Sequence, residues 1–367
     1  MNQDLLLAWI GIISGLAALV GGGEALVRGA SRLATSLRVN PLVIGLTVVA
    51  FGTSAPELTV SVQSALAGNS DIAIGNVIGS NIFNVLFILG LSAIIVPLVV
   101  SSRLIRWDVP IMIGASLVTL GLGWDQQISR IEGMFLFGGI IGYTVWCIRS
   151  SRKERPEVKA EFAHEWQQNS PGSSTLVDIV LIVVGLIALG IGSRFLIYGA
   201  VLVAEDLGVS KLIIALTIVA AGTSVPEVVT SLVAAIRQER DIAVGNVVGS
   251  NIFNILCVLG LSSAISPNGI TVSPNALEFD IPVMIVVAIA CLPILFTGHV
   301  ISRWEGGLFL FYYIAYTAYL VSSVTQHHLS EKLSVAMLYF VVPLTIVTLG
   351  IGVVRTLRQP AEVPDLE

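Results

Sequence analysis

Gly52-Thr53-Ser54-Ala55-Pro56-Glu57 and the segment GNVIGSNIFN from Gly75 to Asn84 decide the reading of this chain, because both are written twice. GTSVPE returns at Gly222 to Glu227 and GNVVGSNIFN at Gly245 to Asn254, each 170 residues after its first copy. Each copy of the shorter motif sets one glutamate inside a long apolar stretch. A carboxylate in that setting is expensive and needs a partner.

The surroundings of the motifs are those of a membrane protein. Of 367 residues, 55% are hydrophobic and 12% charged, with a mean hydropathy of +0.90. These values exclude an ordinary soluble domain and give the fold class as an all-α polytopic membrane protein. At roughly 20 apolar residues per crossing, the hydropathy divides into about eleven spans. They fall near 5–33, 41–67, 72–98, 108–124, 130–149, 175–206, 211–236, 242–266, 279–297, 303–323 and 333–354. The N-terminal run has neither a basic leader nor a clear small-residue cleavage site, and reads as the first span. Cys147, Cys257 and Cys291 lie in or at the ends of spans, with no CxxC and no nearby histidine, and read as structural thiols.

The basic residues orient these spans, since cytoplasmic loops carry the excess of Lys and Arg. With the N-terminus outside, the inner connections hold 15 of the 19 cations: Arg28, Arg32, Arg38, Arg103, Arg106, Arg149, Arg152, Lys153, Arg155, Lys159, Arg237, Arg240, Arg303, Arg355 and Arg358. Arg130, Arg194, Lys211 and Lys332 remain outside. The expected arrangement is N-terminus out and C-terminus cytoplasmic.

The repeat extends well beyond the motifs. Gly22/Gly192, Gly29/Gly199, Leu42/Leu212, Thr47/Thr217 and Leu91/Leu261 keep the same offset, and WDVPIM at Trp107 to Met112 answers FDIPVM at Phe279 to Met284. Each half therefore holds five spans, and an odd number forces the second half to insert upside down. This is an inverted-topology repeat of ten spans, an architecture associated with alternating access around a midplane site. The halves are 1–150 and 175–325, joined by a polar cytoplasmic linker at 151–174. Residues 326–367 supply an accessory C-terminal span and a tail.

GTSxPE should break its helix, because glycine is permissive and proline removes an amide donor while clashing with the preceding turn. Broken backbone is tolerated at membrane depth only when buried in protein or lining a wet cavity. A break would free carbonyls near Ala50, to which Thr53 and Ser54 add hydroxyls and Glu57 a charge. A charged side chain at the bilayer centre costs roughly 2.5–3.5 kcal/mol on insertion scales. No lysine or arginine lies at comparable depth to Glu57 or Glu227, so the simplest countercharge is a bound cation. Oxygen-only donors suit a hard ion such as Ca2+ or Na+, and the absence of His and Cys from the motifs disfavours a transition metal.

The second motif fits the same site. Asn76, Ser80 and Asn84 are four apart and share one helix face, as do Asn246, Ser250 and Asn254. Ser80, Asn84, Ser250 and Asn254 read as cation ligands. Asn76 and Asn246 stand open between ligands and polar contacts between helices. The pairs Gly75/Gly79 and Gly245/Gly249 read as close-packing ridges, and Asp71 and Asp241 as helix N-caps.

These residues resemble the sodium/calcium exchanger family of the cation/Ca2+ exchanger superfamily, whose two alpha repeats carry GTSxPE followed by GNxxGSNxx and Asn or Asp. The resemblance implies cation sites lined by Glu57, Glu227, Thr53, Ser54, Thr223, Ser224, the carbonyls of Ala50 and Ala220, and Ser80, Asn84, Ser250 and Asn254. It implies a secondary antiporter that exchanges Ca2+ for Na+, with the long first and sixth spans sliding across the core. It further implies transported Ca2+ and Na+ with no resident cofactor, the lipid bilayer as surroundings and no nucleic-acid partner. The short linker, without room for the calcium-sensing domains of some eukaryotic relatives, suggests a bacterial inner membrane.

Asn84 and Asn254 are both neutral where potassium-dependent members carry an acid, which argues against K+ co-transport. Proton-coupled members carry GNxxE in place of GTSxPE, so the sodium-coupled branch is the nearer likeness, with Ca2+/H+ antiport as the alternative. A passive cation channel would use similar oxygens. An intramembrane enzyme could use paired carboxylates, but the chain has no HExxH, and His164, His299, His327 and His328 lie in loops or at span ends.

Overall fold

The computed structural model describes residues 3–37, 39–152, 174–209, 214, 218, 220–296, 299–325 and 350. Most of the expected linker and accessory span therefore lie outside the described residues, as does much of 210–219. The chain is mainly helical. Its helices are α1 (Gln3–Leu37), α2 (Pro41–Thr53), α3 (Ala55–Leu66), α4 (Ser70–Ile95), α5 (Leu104–Asp125) and α6 (Arg130–Arg152), followed by α7 (Thr175–Asp206), α8 (Val225–Ile236), α9 (Arg240–Ile265), α10 (Ile281–Phe296) and α11 (Arg303–Thr325).

Among the described residues six helices are long and apolar enough to cross a membrane, or seven if α2 and α3 form one bent span. The count of about eleven is not reached among the described residues, because the span expected at 333–354 lies almost wholly outside them and features visible in the sequence shorten or dilute others. Pro56 lies in the first turn of α3, and α3 leaves α2 at 47°. Pro226 repeats this at the start of α8, which is only 12 residues long, and most of the segment before it lies outside the described residues. The helix α10 has 16 residues. In α11, Tyr312, Tyr313, Tyr316 and Tyr319 dilute an otherwise apolar run.

Layering follows burial. In α9, 94% of the most apolar window is buried, and in α4 72%, against 28% in both α1 and α7. The two helices that carry the GNxxGSNxxN motif are therefore the centre of the molecule, while α1 and α7 lie along its flank and expose Leu6, Ile10, Ile13, Val180, Val184 and Ile187. The flanking pair is antiparallel and very close. A Cβ on Gly15 would stand 2.8 Å from the Gly192 carbonyl, and one on Gly22 would stand 2.9 Å from that of Gly185. A Cβ on Gly29 would be 2.8 Å from the Asp178 carbonyl. Only glycine lets backbones approach this closely.

Two short antiparallel ribbons tie the ends together. β1 (Leu98–Val99) pairs with β4 (Val300–Ile301), and β2 (Gln127–Ile128) with β3 (Ile270–Thr271), so each ribbon takes one strand from each half. At one end of α1, Glu24 pairs with Arg28 and with Arg237, while Ser31 Oγ donates to Glu239 at 2.7 Å. These contacts fasten α1 to the turn between α8 and α9.

Candidate cation site

The site is assembled by helix breaks and single wide turns. After Thr53 the chain passes through Ser54 at φ −80° and ψ 8°, and in the second half through Ser224 at φ −90° and ψ 7°, before each proline restarts the helix. Glu57 and Glu227 thus fall in the first turns of α3 and α8, where unpaired backbone N–H groups favour a carboxylate. Wide π-helical turns begin at Asn84 (Asn84–Leu89) and at Asn254 (Asn254–Leu259). Such turns often mark functional positions. The Asn84 turn packs against α8 and the Asn254 turn against α3, so each asparagine adjoins the glutamate helix of the other half.

Glu57 and Glu227 are 0% and 1% exposed. Each is held by a serine from the opposite half. Ser224 Oγ donates to Glu57 Oε1 at 2.7 Å, and Ser54 Oγ donates to Glu227 Oε1 at 3.0 Å. The Ser224 and Ser80 hydroxyls lie 3.2 Å apart. In both carboxylates the second oxygen, Oε2, is buried without a hydrogen-bond partner, and so are Asn84 Oδ1, Asn254 Oδ1 and Ser250 Oγ. Buried oxygens of this kind are exceptional and call for an explanation.

Asn76 and Asn246 are occupied on both faces. The Asn76 amide donates to the Glu57 carbonyl at 3.1 Å and to Ser61 Oγ at 2.9 Å, while its Oδ1 accepts from Thr223 at 3.4 Å. The Asn246 amide donates to the Glu227 carbonyl at 3.4 Å and to Ser231 Oγ at 2.9 Å, and its Oδ1 accepts from Thr53 at 3.1 Å. Of the two roles left open for them, this geometry is that of struts under the glutamate turns. It also uses the Thr53 and Thr223 hydroxyl hydrogens, leaving their oxygens as acceptors.

The remaining expected residues divide. The Ala50 carbonyl is not simply freed by the break, because Ser54 N–H donates to it at 3.1 Å. A carbonyl has two lone pairs, so this lowers its capacity without abolishing it. Ala220 opens the short helical turn Ala220–Gly222 ahead of the second break. Gly245 and Gly249 pack as ridges, with added Cβ atoms 3.0 Å from the Leu42 carbonyl and 2.7 Å from that of Leu46. Asp71 and Asp241 are not caps: each lies inside the first turn, and Asn69 and Glu239 hold the cap positions.

Several residues in the site escape a reading by helix face. Asn81 and Asn251 lie off the Asn76-Ser80-Asn84 stripe, yet Asn84 Nδ2 donates to Asn251 Oδ1 at 3.0 Å and Asn254 Nδ2 to Asn81 Oδ1 at 3.1 Å. The available signal was their recurrence as polar residues in both copies. Ser61 and Ser231 follow the glutamates by one turn and carry the same 170-residue offset.

Comparison with known proteins agrees with the two-part pattern. The family model described as sodium/calcium exchanger protein matches residues 7–149 and 177–322. The chain belongs to the sodium/calcium exchanger family. Members of this family are transporters of cations, and the chain is an integral membrane protein of that kind. It is 39% identical to the putative antiporter CaxA of Alkalimonas amylolytica, over 87% of this chain and 100% of the relative. It is 32% identical to the sodium/calcium exchanger MaX1 of Methanosarcina acetivorans, over 83% of this chain and 96% of the relative. Among solved structures it is similar to the sodium-calcium exchanger NCX_Mj soaked with zero Na+ and Ca2+, with a TM-score of 0.73, 32% identity, and coverage of 86% of this chain and 99% of that one.

Proposed function

We propose that this exchanger carries Ca2+ one way across a bacterial inner membrane and Na+ the other, by alternating access at the site between α3, α4, α8 and α9. The observation that carries the reading is that five of the buried, unpartnered oxygens belong to the two repeated motifs: Glu57 Oε2, Glu227 Oε2, Asn84 Oδ1, Asn254 Oδ1 and Ser250 Oγ. Every one is an acceptor, and the two carboxylates offer a charge of −2 when ionised. One Ca2+ or two Na+ balances that charge, so the two ions compete for overlapping oxygens. Thr53, Ser54, Thr223, Ser224, Ser80 and the Ala50 and Ala220 carbonyls complete the proposed ligand set.

Charge balance also supplies the coupling. With ions bound, the buried carboxylates are neutralised and the protein is free to pass between outward and inward openings. Emptied, it would carry two uncompensated charges through the occluded state, which is strongly disfavoured. Exchange follows because only loaded forms cross. Sliding of α1 and α7 along the core fits their low burial and their glycine-on-glycine contact.

The halves 1–150 and 175–325 are proposed as inverted repeats, with the linker and C-terminus cytoplasmic and the N-terminus outside. Two observations support this. The pairing of β1 with β4 and β2 with β3 requires the end of the third span to share a side with the connection between the ninth and tenth, which inversion provides and a parallel repeat does not. The antiparallel contact of α1 and α7, equivalent helices in the two halves, is the second.

The test is uptake of radiolabelled Ca2+ into vesicles containing the purified protein, first under an outward Na+ gradient and then under a pH gradient alone. Uptake driven by Na+ and saturable in Ca2+ is expected. Uptake driven only by the pH gradient would replace Na+ coupling with proton coupling, and flux that needs no trans cation would indicate a channel.

A further inference from the structure

Asn81 and Asn251 meet the carboxamides of Asn254 and Asn84 across the two halves. Asn251 Nδ2 lies 3.4 Å from Met112 Sδ on α5, and Asn81 Nδ2 lies 3.5 Å from Met284 Sδ on α10 and 3.4 Å from the Asn251 carbonyl. A thioether and a backbone carbonyl can only accept, so each carboxamide must turn its NH2 toward them. Its oxygen then faces the other way. Asn251 Oδ1 accepts from Asn84 Nδ2 and Asn81 Oδ1 accepts from Asn254 Nδ2. With their amide nitrogens so engaged, Asn84 and Asn254 are left with Oδ1 buried and unpartnered. A carboxamide free to rotate could equally present NH2, which would repel a cation.

We infer that Asn81 and Asn251, held by Met284 and Met112, are positioning residues that lock the Asn254 and Asn84 carboxamides with oxygen toward the cation, each lock acting across the two halves. This rests on the site reading above and deepens it. The pairs span the repeat: Asn251 serves Asn84 of the first half and not Asn254, three residues along its own helix. The methionines belong to WDVPIM and FDIPVM, which gives this recurring segment of α5 and α10 a part in cation selection.

The test is equilibrium binding of Ca2+ to the purified full-length protein, measured by calorimetry with Ca2+ alone as titrant and therefore independent of the coupling ion. Asn84→Ala and Asn251→Ala are each expected to weaken binding by about tenfold, the lower end of the range for residues that orient a ligand. The double variant should be no weaker than Asn84→Ala alone, whereas Asn251→Ala combined with Asn254→Ala should multiply the two losses. Met112→Leu, which conserves core volume, should weaken binding severalfold in the native background and leave Asn84→Ala unchanged; it carries the test if Asn251→Ala does not fold. Equal effects of Met112→Leu in both backgrounds, or losses from Asn251→Ala and Asn84→Ala that multiply, overturn the lock. Glu57→Gln run alongside separates the two claims. If it leaves binding intact the site itself is misassigned, and if it abolishes binding while the lock tests fail, only the lock is wrong.

Discussion

In the first half, Asp108 is fully buried, accepts from Tyr143 at 2.9 Å and lies 4.0 Å from Arg103, whose guanidinium stacks over Trp146. In the second half its counterpart Asp280 is only partly buried, accepts from Tyr316 at 3.3 Å, and has Asn275 where the first half has Arg103. The centre behaves differently. Ser224 to Glu57 is 2.7 Å and Ser54 to Glu227 3.0 Å. Asn76 to Ser61 and Asn246 to Ser231 are both 2.9 Å, and Asn84 to Asn251 and Asn254 to Asn81 are 3.0 and 3.1 Å. Away from the ion site, contacts within one half are free to drift apart in sequence. In the ion site each half supplies the serine that steadies the other's glutamate, so a change on one side is felt at both, and the copies stay alike.

That contrast can be broken in graded steps. Glu57→Gln and Glu227→Gln should each lower Ca2+ transport by about 100-fold or more, since each removes one of two buried charges that the ion must balance. Matched losses in the two halves are the expected signature, and a variant retaining near-native flux would remove its glutamate from the site. Ser224→Ala and Ser54→Ala come next, each costing about tenfold in apparent Ca2+ affinity for a lost hydrogen bond to a charged group. Ser224→Ala should be the worse of the two, because Ser224 has the shorter bond and also adjoins Ser80.

Gly185→Ala is expected to slow turnover while leaving Ca2+ binding nearly unchanged. Its Cβ would meet the Gly22 carbonyl at 2.7 Å and force α1 and α7 apart, whereas Gly190→Ala, with nothing within 4 Å of its Cβ, serves as the control. Flux and calorimetry on the same preparations check this. The smallest effects belong outside the site. Tyr143→Phe strips a fully buried Asp108 of a donor and should lower the thermal midpoint by about 2–4 °C, while Tyr316→Phe at the partly exposed Asp280 should do less and neither should change ion selectivity.

How far the sequence could be read follows from the same division. The motif repeat, the break at each proline and the two glutamates were legible because they are local: Gly52 and Pro56 dictate backbone geometry within one turn, and a lone carboxylate in an apolar run announces its own cost. The GxxxG signal held at Gly245 and Gly249 but misled at Gly75 and Gly79, where an added Cβ would meet nothing within 4 Å. Partners were not. Nothing near Ser54 in the chain says that it bonds Glu227, 173 residues away, and the i, i+4 stripe that picked out Asn84 passed over Asn81, whose value lies in which helix it faces. The Ala50 carbonyl is less bare than a broken helix implies, because Ser54 N–H still reaches back to it. Among the described residues fewer helices are long and apolar enough to cross alone than hydropathy marks as spans, because breaks and tyrosines shorten or dilute several apolar runs and the last expected span lies almost wholly outside those residues.

The claim at the centre is that Ca2+ and Na+ compete for one set of oxygens shared between the halves, and displacement of bound radiolabelled Ca2+ from the purified protein tests it most directly. Rising Na+ at fixed pH and ionic strength, the balance made with a large organic cation, should release the Ca2+ with a Hill slope above one. Glu57→Gln and Glu227→Gln should both abolish the binding that Na+ displaces. Ca2+ that stays bound at saturating Na+, or that is released with equal ease by the organic cation, would contradict the account.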